Sequence, residues 1–440
     1  MAARLEASLG RLAALRSWEA ASSRAGMRAL DANPCRTVCR EMDLRPWKHQ
    51  RSIHVAGSKG KGTVCALLGA ALRSAGRHVG VITSPHVECI TERVRIDGVN
   101  VDKEKLAEAI DSALEARVRG DVGSATWFDV FTAGALHLVR RCDYAVVECG
   151  LGGRRDSTNL LRAPVAVLTS VELEHTEVLG DTVGLISAEK AAIASRGGSL
   201  VVSRTLSRPA ARAARATAAK RGARVLTPRK RSATSRHARS YWANIFGASN
   251  LDVAGSALDE LGRRGATTAR TNRPLGAWLL RDFSTLRKAH ASLPARREWL
   301  PPHETVQVMA DVAHTRASVH ALVASLRLRK PPVVLIALAA DKDAKHIFAE
   351  LAGLHAPAVY CAPLPPLGDG ADPEALAVAA NCGQLHCVSA VSSTTEALRL
   401  ALHEARVRGT WVLVFGSFKL CAHVKHKLGH PEELHRYDLP

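Results

Sequence analysis

Apolar residues along the chain recur with two rhythms. Near the start Leu5, Leu9, Leu12 and Leu15 fall on one face at helical spacing, which predicts an opening helix. Residues 53–56 form a short β-type run. Val64, Leu67, Leu68, Ala71, Leu72 and Ala75 then follow at i, i+3, i+4, i+7, i+8 and i+11, the period of an amphipathic helix, with Gly76 to stop it. Runs at 79–83, 144–148 and 165–169 predict buried strands, most of them separated by helical stretches. After a helix around 250–261 a second series begins, with strand runs at 306–309, 333–336, 358–361 and 411–415. Strands alternating with helices predict an α/β fold: a mainly parallel sheet in a phosphate-loop domain over 1–280, then a smaller Rossmann-like α/β domain over 290–440. Weak periodicity between about 268 and 294 predicts a linker.

Composition narrows the classes. Of 440 residues, 47% are hydrophobic and 23% charged, which excludes disordered and collagen-like chains. The longest apolar run, 331–340, has core-strand length and is too short for a membrane span. Ten scattered cysteines without a CxxC give neither a disulfide scaffold nor a zinc ribbon, and reduced cytoplasmic thiols are expected. Arg4, Arg11 and Arg16 leave a mitochondrial address as the alternative. The net charge of +20 suggests a polyanion partner until it is located, because thirteen Lys and Arg residues lie between Arg196 and Ser240. No aromatic is interleaved with them before Tyr241, so an exposed, mobile basic insertion over about 196–248 is expected rather than a nucleic-acid site.

The candidate chemistry sits after the strands. Gly57-Ser58-Lys59-Gly60-Lys61-Gly62-Thr63 joins a strand to a helix. Glycines let the backbone approach phosphate oxygens, and a helix N-terminus turns amides and a positive dipole toward them. Lys61 can meet the outer phosphates and the Thr63 hydroxyl a magnesium ion, although Gly62 departs from the common GxxxxGK[ST] spacing. Ser84-Pro85-His86 follows the next strand, Glu148 ends another ahead of a glycine-rich turn, and Glu172, Glu174 and His175 lie beyond a third. Strand-end hydroxyls and carboxylates suit magnesium, and His175 beside carboxylates suits a metal role. Lys190, in isolation, is a solvated helix residue.

Together these residues resemble the folate branch of the Mur ligases, the folylpolyglutamate synthase and dihydrofolate synthase family. The signatures occur in order: His54 to Thr63, Ser84-Pro85-His86, Thr91 to Ile96, Glu148 with Gly150 to Asn159, Glu174-His175-Thr176, Glu189-Lys190-Ala191, Asp311-Val312-Ala313-His314, Asp341-Lys342-Asp343 and Gly416-Ser417-Phe418. The resemblance implies an ATP-dependent ligase that adds L-glutamate to a folate, with dihydropteroate as a further or alternative acceptor. It implies that Gly57, Ser58, Gly60, Lys61, Gly62 and Thr63 hold ATP with Asn250, Arg296, Asp311 and His314, the last three closing over the nucleotide from the second domain. It also implies one magnesium at Ser84 and Glu148 with Thr63 nearby, and a second at Glu148, His175 and a carbamylated Lys190. K+ is left open as a third cation. Lys61, His175 and Lys190 carry the implied catalytic roles; Phe128 and Asp156 resemble pterin contacts. A monomer acting on small molecules, without membrane or nucleic acid, is expected. The chain departs from the family pattern in Glu174 for an aspartate, Ala295 for a glycine, and Thr315-Arg316 after His314. A phosphate-loop kinase or NTPase with another acceptor, a non-catalytic polyanion-binding relative and a cell-wall Mur ligase are the alternative readings.

Overall fold

The computed structural model describes residues 2–15, 32–45, 51–228, 242, 243, 245–326, 330–365, 370–382, 385 and 387–429. They cluster as two compact units. Of the described residues, the first unit takes those up to Pro85 and from Thr91 to Ser292; the second takes His86–Ile90 and those from Leu293 to Gly429.

In the first unit β1 (Ser52–Ala56), β2 (Val79–Ile82), β3 (Val94–Ile96), β4 (Val99–Asn100), β5 (Tyr144–Glu148), β6 (Val165–Leu168), β7 (Ser199–Val202) and β8 (Arg224–Leu226) form one sheet in the order β4-β3-β2-β5-β1-β6-β7-β8. The six strands from β2 to β8 run parallel, and β3 and β4 close one edge antiparallel. All five residues of β1 are buried, as expected for the centre of a parallel sheet covered on both faces. Val55 pairs with Glu148 and Ala56 with Leu168, so the carboxyl ends of β1, β5 and β6 stand side by side. Ligands of open α/β sheets bind in this crevice.

The helix after β1, Lys61–Ser74, is buried without a break from Val64 to Leu72, so its apolar face is wider than the sequence period suggests. Helices Ala248–Arg263 and Phe283–Ala291 pack on it. The latter lies in the stretch read as a linker. That stretch instead carries a 3₁₀ turn, Ala277–Arg281, and this helix, capped by Asp282 (Thr285 N to Oδ2, 2.8 Å), because Leu275, Leu279, Leu286 and Ala289 are buried. In the opening helix, Ala2–Ala13, Leu5 and Leu12 face inward, but Ser8 takes the inner position beside Leu9 and bonds Asp111 on helix Lys103–Arg119.

The basic stretch is the second correction. It is no mobile insertion where it is described: Ser199–Val202 and Arg224–Leu226 are sheet strands, and helix Arg208–Lys220 joins them. That helix buries Ala210, Ala214, Thr217 and Ala218 along one stripe, while Arg208, Arg212 and Arg215 stay exposed. An alanine stripe at i, i+4 and i+8 is a weak hydrophobic signal between arginines, which is why charge masked the helix. Arg229, Lys230, Arg231, Arg236 and Arg239 lie outside the described residues.

The second unit holds β9 (Glu298–His303), β10 (Val306–Asp311), β11 (Val333–Ile336), β12 (Val359–Cys361), β13 (Val388–Ala390) and β14 (Val412–Phe415), in the order β13-β12-β11-β14-β10-β9. Only β9 is antiparallel. Ile336, Phe348, Leu351, Leu413 and Phe415 lie in its core. Among the described residues no helix is long and apolar enough to cross a membrane.

Candidate functional site

The loop between β1 and helix Lys61–Ser74 is fastened to the strand end beside it. Ser58 N donates to Ser170 O at 2.9 Å and Lys59 N to Ser170 Oγ at 2.8 Å; Thr169 Oγ1 donates to Lys59 O at 2.6 Å. Glycine is required at Gly60, whose φ of +86° is left-handed and whose added Cβ would lie 2.5 Å from Asn250 Oδ1. Asn250 is held in turn by its own bond to Phe246 O at 2.7 Å. Gly57, Ser58, Gly60, Lys61, Gly62, Thr63 and Asn250 therefore belong to one locality. Lys61 folds back onto Gly57 O at 3.0 Å, from the first position of the helix.

Across β5 the second group converges. Glu148 is buried, and its Oε2 accepts from Ser84 N at 3.2 Å. A Cβ on Gly62 would stand 3.5 Å from the same oxygen, so Glu148 also adjoins the loop that carries Thr63. Two hydroxyls and a carboxylate are hard oxygen donors of the kind magnesium takes. Among the described residues no three His, Cys, Asp or Glu side chains form a metal cluster, so hydroxyl donors are needed to complete such a site.

Lys190, read in isolation as solvated, is 2% exposed. Its Nζ lies 3.0 Å from Glu174 Oε1 and 3.3 Å from Gly57 O, so helix Val183–Ala191 delivers a buried ammonium to the back of the phosphate loop. Burial, then the charge of Lys61, pushes this ammonium below its ordinary pKa despite Glu174. Burial alone would raise Glu174, but Lys190 outweighs it and holds the carboxyl at about 2. His175 has a left-handed backbone (φ +47°) and a half-exposed ring whose Nδ1 lies 3.9 Å from Glu177. Partial burial and the charges of Lys190 and Lys61 keep the imidazole below its ordinary value against Glu174 and Glu177, and a neutral imidazole is the ligating form. An ammonium has no lone pair for a cation, so Lys190 could ligate one beside His175 only after losing its proton, as an amine or as a carbamate.

Phe128 and Asp156 meet at Gly150, where an added Cβ would lie 2.7 Å from Phe128 Cζ and 3.1 Å from Asp156 Oδ2. Asp156 accepts Leu151 N at 2.7 Å and Thr158 N at 2.9 Å. In the second unit Arg296 and His314 lie against Phe418, the Arg296 guanidinium 5.0 Å from its ring centre and the His314 ring 6.1 Å, and Asp311 feels the charge of Arg296. Asp311 is buried and accepts from the backbone of Arg297 and Ala313 at 2.9 and 2.8 Å; burial raises its carboxyl, with Arg296 opposing.

Sequence reasoning overlooked Thr169 and Ser170, which anchor the loop, and the pairing of Glu174 with Lys190. The signal was present as hydroxyls and a carboxylate after β6, but only pairing across strands gives them partners.

Residues 295–418 match the Mur ligase, glutamate ligase domain. The dihydrofolate synthase/folylpolyglutamate synthase of Escherichia coli (strain K12) is 44% identical over 144 residues, which is 32% of this chain and 33% of that protein. The probable bifunctional folylpolyglutamate synthase/dihydropteroate synthase of Haloferax volcanii is 42% identical over 159 residues, 35% of this chain and 19% of that protein. Sequence identity thus spans a third or less of these curated relatives. By structure the likeness is longer. Escherichia coli FolC in complex with DHPP and ADP superposes with a TM-score of 0.73 at 28% identity, over 91% of this chain and 93% of that one. A bifunctional folylpolyglutamate synthase/dihydrofolate synthase with Mn, AMPPNP and L-glutamate bound gives 0.74 at 28% identity over 97% and 98%.

Proposed function

We propose, because this chain belongs to the folylpolyglutamate synthase/dihydrofolate synthase family of the Mur ligases, that it is an ATP-dependent ligase joining L-glutamate to a folate, with dihydropteroate as the other acceptor. The observation that carries this reading is the meeting of a glycine loop, a strand-end carboxylate and a buried lysine at three adjacent strand ends.

In the proposed reaction a carboxylate oxygen of the acceptor attacks the γ-phosphorus of ATP. The bond to the bridging oxygen breaks, leaving ADP and an acyl phosphate. The amine of glutamate then attacks the acyl carbon, the carbon–oxygen bond to phosphate breaks, and the nitrogen loses its proton as the amide forms. The residues of the chain do little covalent work: they align groups and offset charge. Gly57, Ser58, Gly60, Gly62 and Thr63 turn backbone amides toward the phosphates, and Lys61, released from Gly57 O, reaches the transferred group. Asn250 holds the loop and adjoins the nucleotide; Arg296, Asp311 and His314 are the proposed nucleotide contacts of the second unit. Phe128 and Asp156 orient the acceptor ring. Magnesium, held by Thr63, Ser84 and Glu148 and at a second position by Glu148, His175 and carbamylated Lys190, would supply neutralisation of phosphate charge. The ten thiols, none in a disulfide, fit a cytoplasmic enzyme.

The test is to incubate the protein with ATP, magnesium, radiolabelled glutamate and either tetrahydrofolate or dihydropteroate. Incorporation with one or both is expected. Phosphate release that depends on neither glutamate nor acceptor would refute the reading.

A further inference from the structure

We infer that His54 and Thr158 are positioning residues for the acceptor: they form a buried hydrogen-bonded chain that orients the Asp156 carboxylate toward the N–H donors of a pteridine-type ring. The inference rests on the proposed role of Asp156 as an acceptor contact.

His54 is at the centre of β1 and fully buried; Thr158 and Asp156 are 1% and 6% exposed. His54 Nε2 lies 2.8 Å from Thr158 Oγ1, and that hydroxyl is in turn bonded to Asp156 Oδ1. A threonine hydroxyl has one proton, and a carboxylate oxygen only accepts. Thr158 therefore donates to Asp156 and accepts from His54, which fixes the imidazole as its Nε2–H tautomer. Nδ1 is then bare, and it lies in the core without a hydrogen-bond partner among the described residues. Burial, which holds this imidazole at about 3, keeps a second proton off it. A valine or isoleucine in the middle of a buried strand would carry no such cost, so the histidine is present for what its Nε2–H does.

The consequence falls on Asp156. Its Oδ1 is saturated by the Thr158 hydroxyl and backbone N–H, while Oδ2 accepts only Leu151 N–H among these bonds. A carboxylate oxygen has about two lone-pair sites, which leaves one on Oδ2, the oxygen beside Gly150 and Phe128. A flat heteroaromatic ring with an amino or ring N–H donor fits there, its face against Phe128 and its donor on Oδ2. The two backbone N–H bonds hold one contact on each oxygen; the Thr158 hydroxyl, fixed by His54, adds the second on Oδ1, and without it the carboxylate would be held less tightly in that alignment.

The experiment is steady-state kinetics on the full chain with each substrate varied in turn. Thr158→Val, which keeps the volume and removes the donor, should raise KM for the folate or dihydropteroate acceptor about tenfold, the worth of a hydrogen bond to a charged group. KM for ATP and kcat should stay within about twofold, and Thr158→Ser should restore the acceptor KM. His54→Leu should repeat the loss, whereas His54→Gln, whose amide N–H can replace Nε2–H, should hold the acceptor KM near the wild-type value. An unchanged acceptor KM in Thr158→Val, a joint rise in the KM for ATP, or equal losses in His54→Gln and His54→Leu would overturn the inference. Should His54→Leu fail to fold, Thr158→Val decides. If both fail to fold, the chain is a folding element and the inference falls. Wild-type protein without glutamate incorporation would remove the ligase reading and this inference with it, while an active enzyme without the selective shift would remove the inference alone.

Discussion

The strand-end loops of the first unit and the helix Arg208–Lys220 at the edge of the same sheet both carry cations, and they treat them in opposite ways. At the strand ends Lys190 is buried, paired with Glu174 and bonded to Gly57 O. On the edge helix Arg208 and Arg212 are exposed, and only alanines and Thr217 reach the core. A buried charge costs free energy unless partners are placed for it, whereas a solvated one costs little. Placement therefore says more about chemistry than charge count does, and the densest run of charge in the sequence is not where the reaction is proposed.

The strongest way to break this contrast is Lys61→Ala. If the strand-end cations act on the transferred phosphoryl group, this change should lower kcat by about 10³-fold, the scale of losing a preorganised charge at a transition state. The folded state should be little altered, because among the described residues Lys61 makes one hydrogen bond, to Gly57 O. Turnover of the variant in the glutamate incorporation assay, with a melting curve as control, checks both halves. Unchanged turnover would mean that the loop does not carry the chemistry.

A smaller effect is expected on stability from Glu174→Gln. The carboxyl is held at about 2 in the folded chain against an ordinary 4.5, since Lys190 overcomes the effect of burial. A depressed pKa stabilises the fold above the unfolded value, and that contribution is lost as pH falls through the folded one. Ionisation of Glu174 should thus stabilise the fold by at most about 3 kcal/mol at neutral pH, at ~1.4 kcal/mol per pKa unit, a contribution lost between about pH 4.5 and pH 2, while the cost of burying the Lys190 ammonium offsets part of it. Urea unfolding of wild type and Glu174→Gln across that range checks the sign: the difference should be full at pH 7 and shrink on acidification. A difference that grows toward low pH would mean that Lys190 does not hold Glu174 ionised.

The same contrast sets how much could be read from sequence. β5 and β11 lie where their apolar runs are, because a strand covered on both faces announces itself as an unbroken hydrophobic stretch. The phosphate loop was legible for a different reason: its glycines and Lys61 are needed locally, by backbone geometry and by charge. Thr169, Ser170 and the pairing of Glu174 with Lys190 were not, since those roles exist only after β6 is paired beside β1. Lys190 shows the limit most sharply: a lone helical lysine looks solvated until the fold brings it to Gly57 O. At the edge the error ran the other way, with arginines concealing a buried alanine stripe.

The weakest expected effects lie on that stripe and its outer face, and they sharpen the comparison by differing from each other. Ala214 is fully buried in a cluster with Ala56, Leu168 and Ala191, and its helix packs on helix Val183–Ala191, which carries Lys190. Ala214→Leu should cost about 2 kcal/mol by overpacking and raise the KM for ATP through a shifted Lys190 helix. Arg208→Ala with Arg212→Ala removes two of the helix's charges and should change stability by no more than about 0.5 kcal/mol, with turnover unaltered. Arg208 stands in the first turn, where a positive charge opposes the helix dipole, so the double variant should fall on the stabilising side of zero. Melting curves and glutamate incorporation on the two variants separate the cases. Loss of activity on removing the exposed arginines, with Ala214→Leu silent, would invert the argument and return function to the charge.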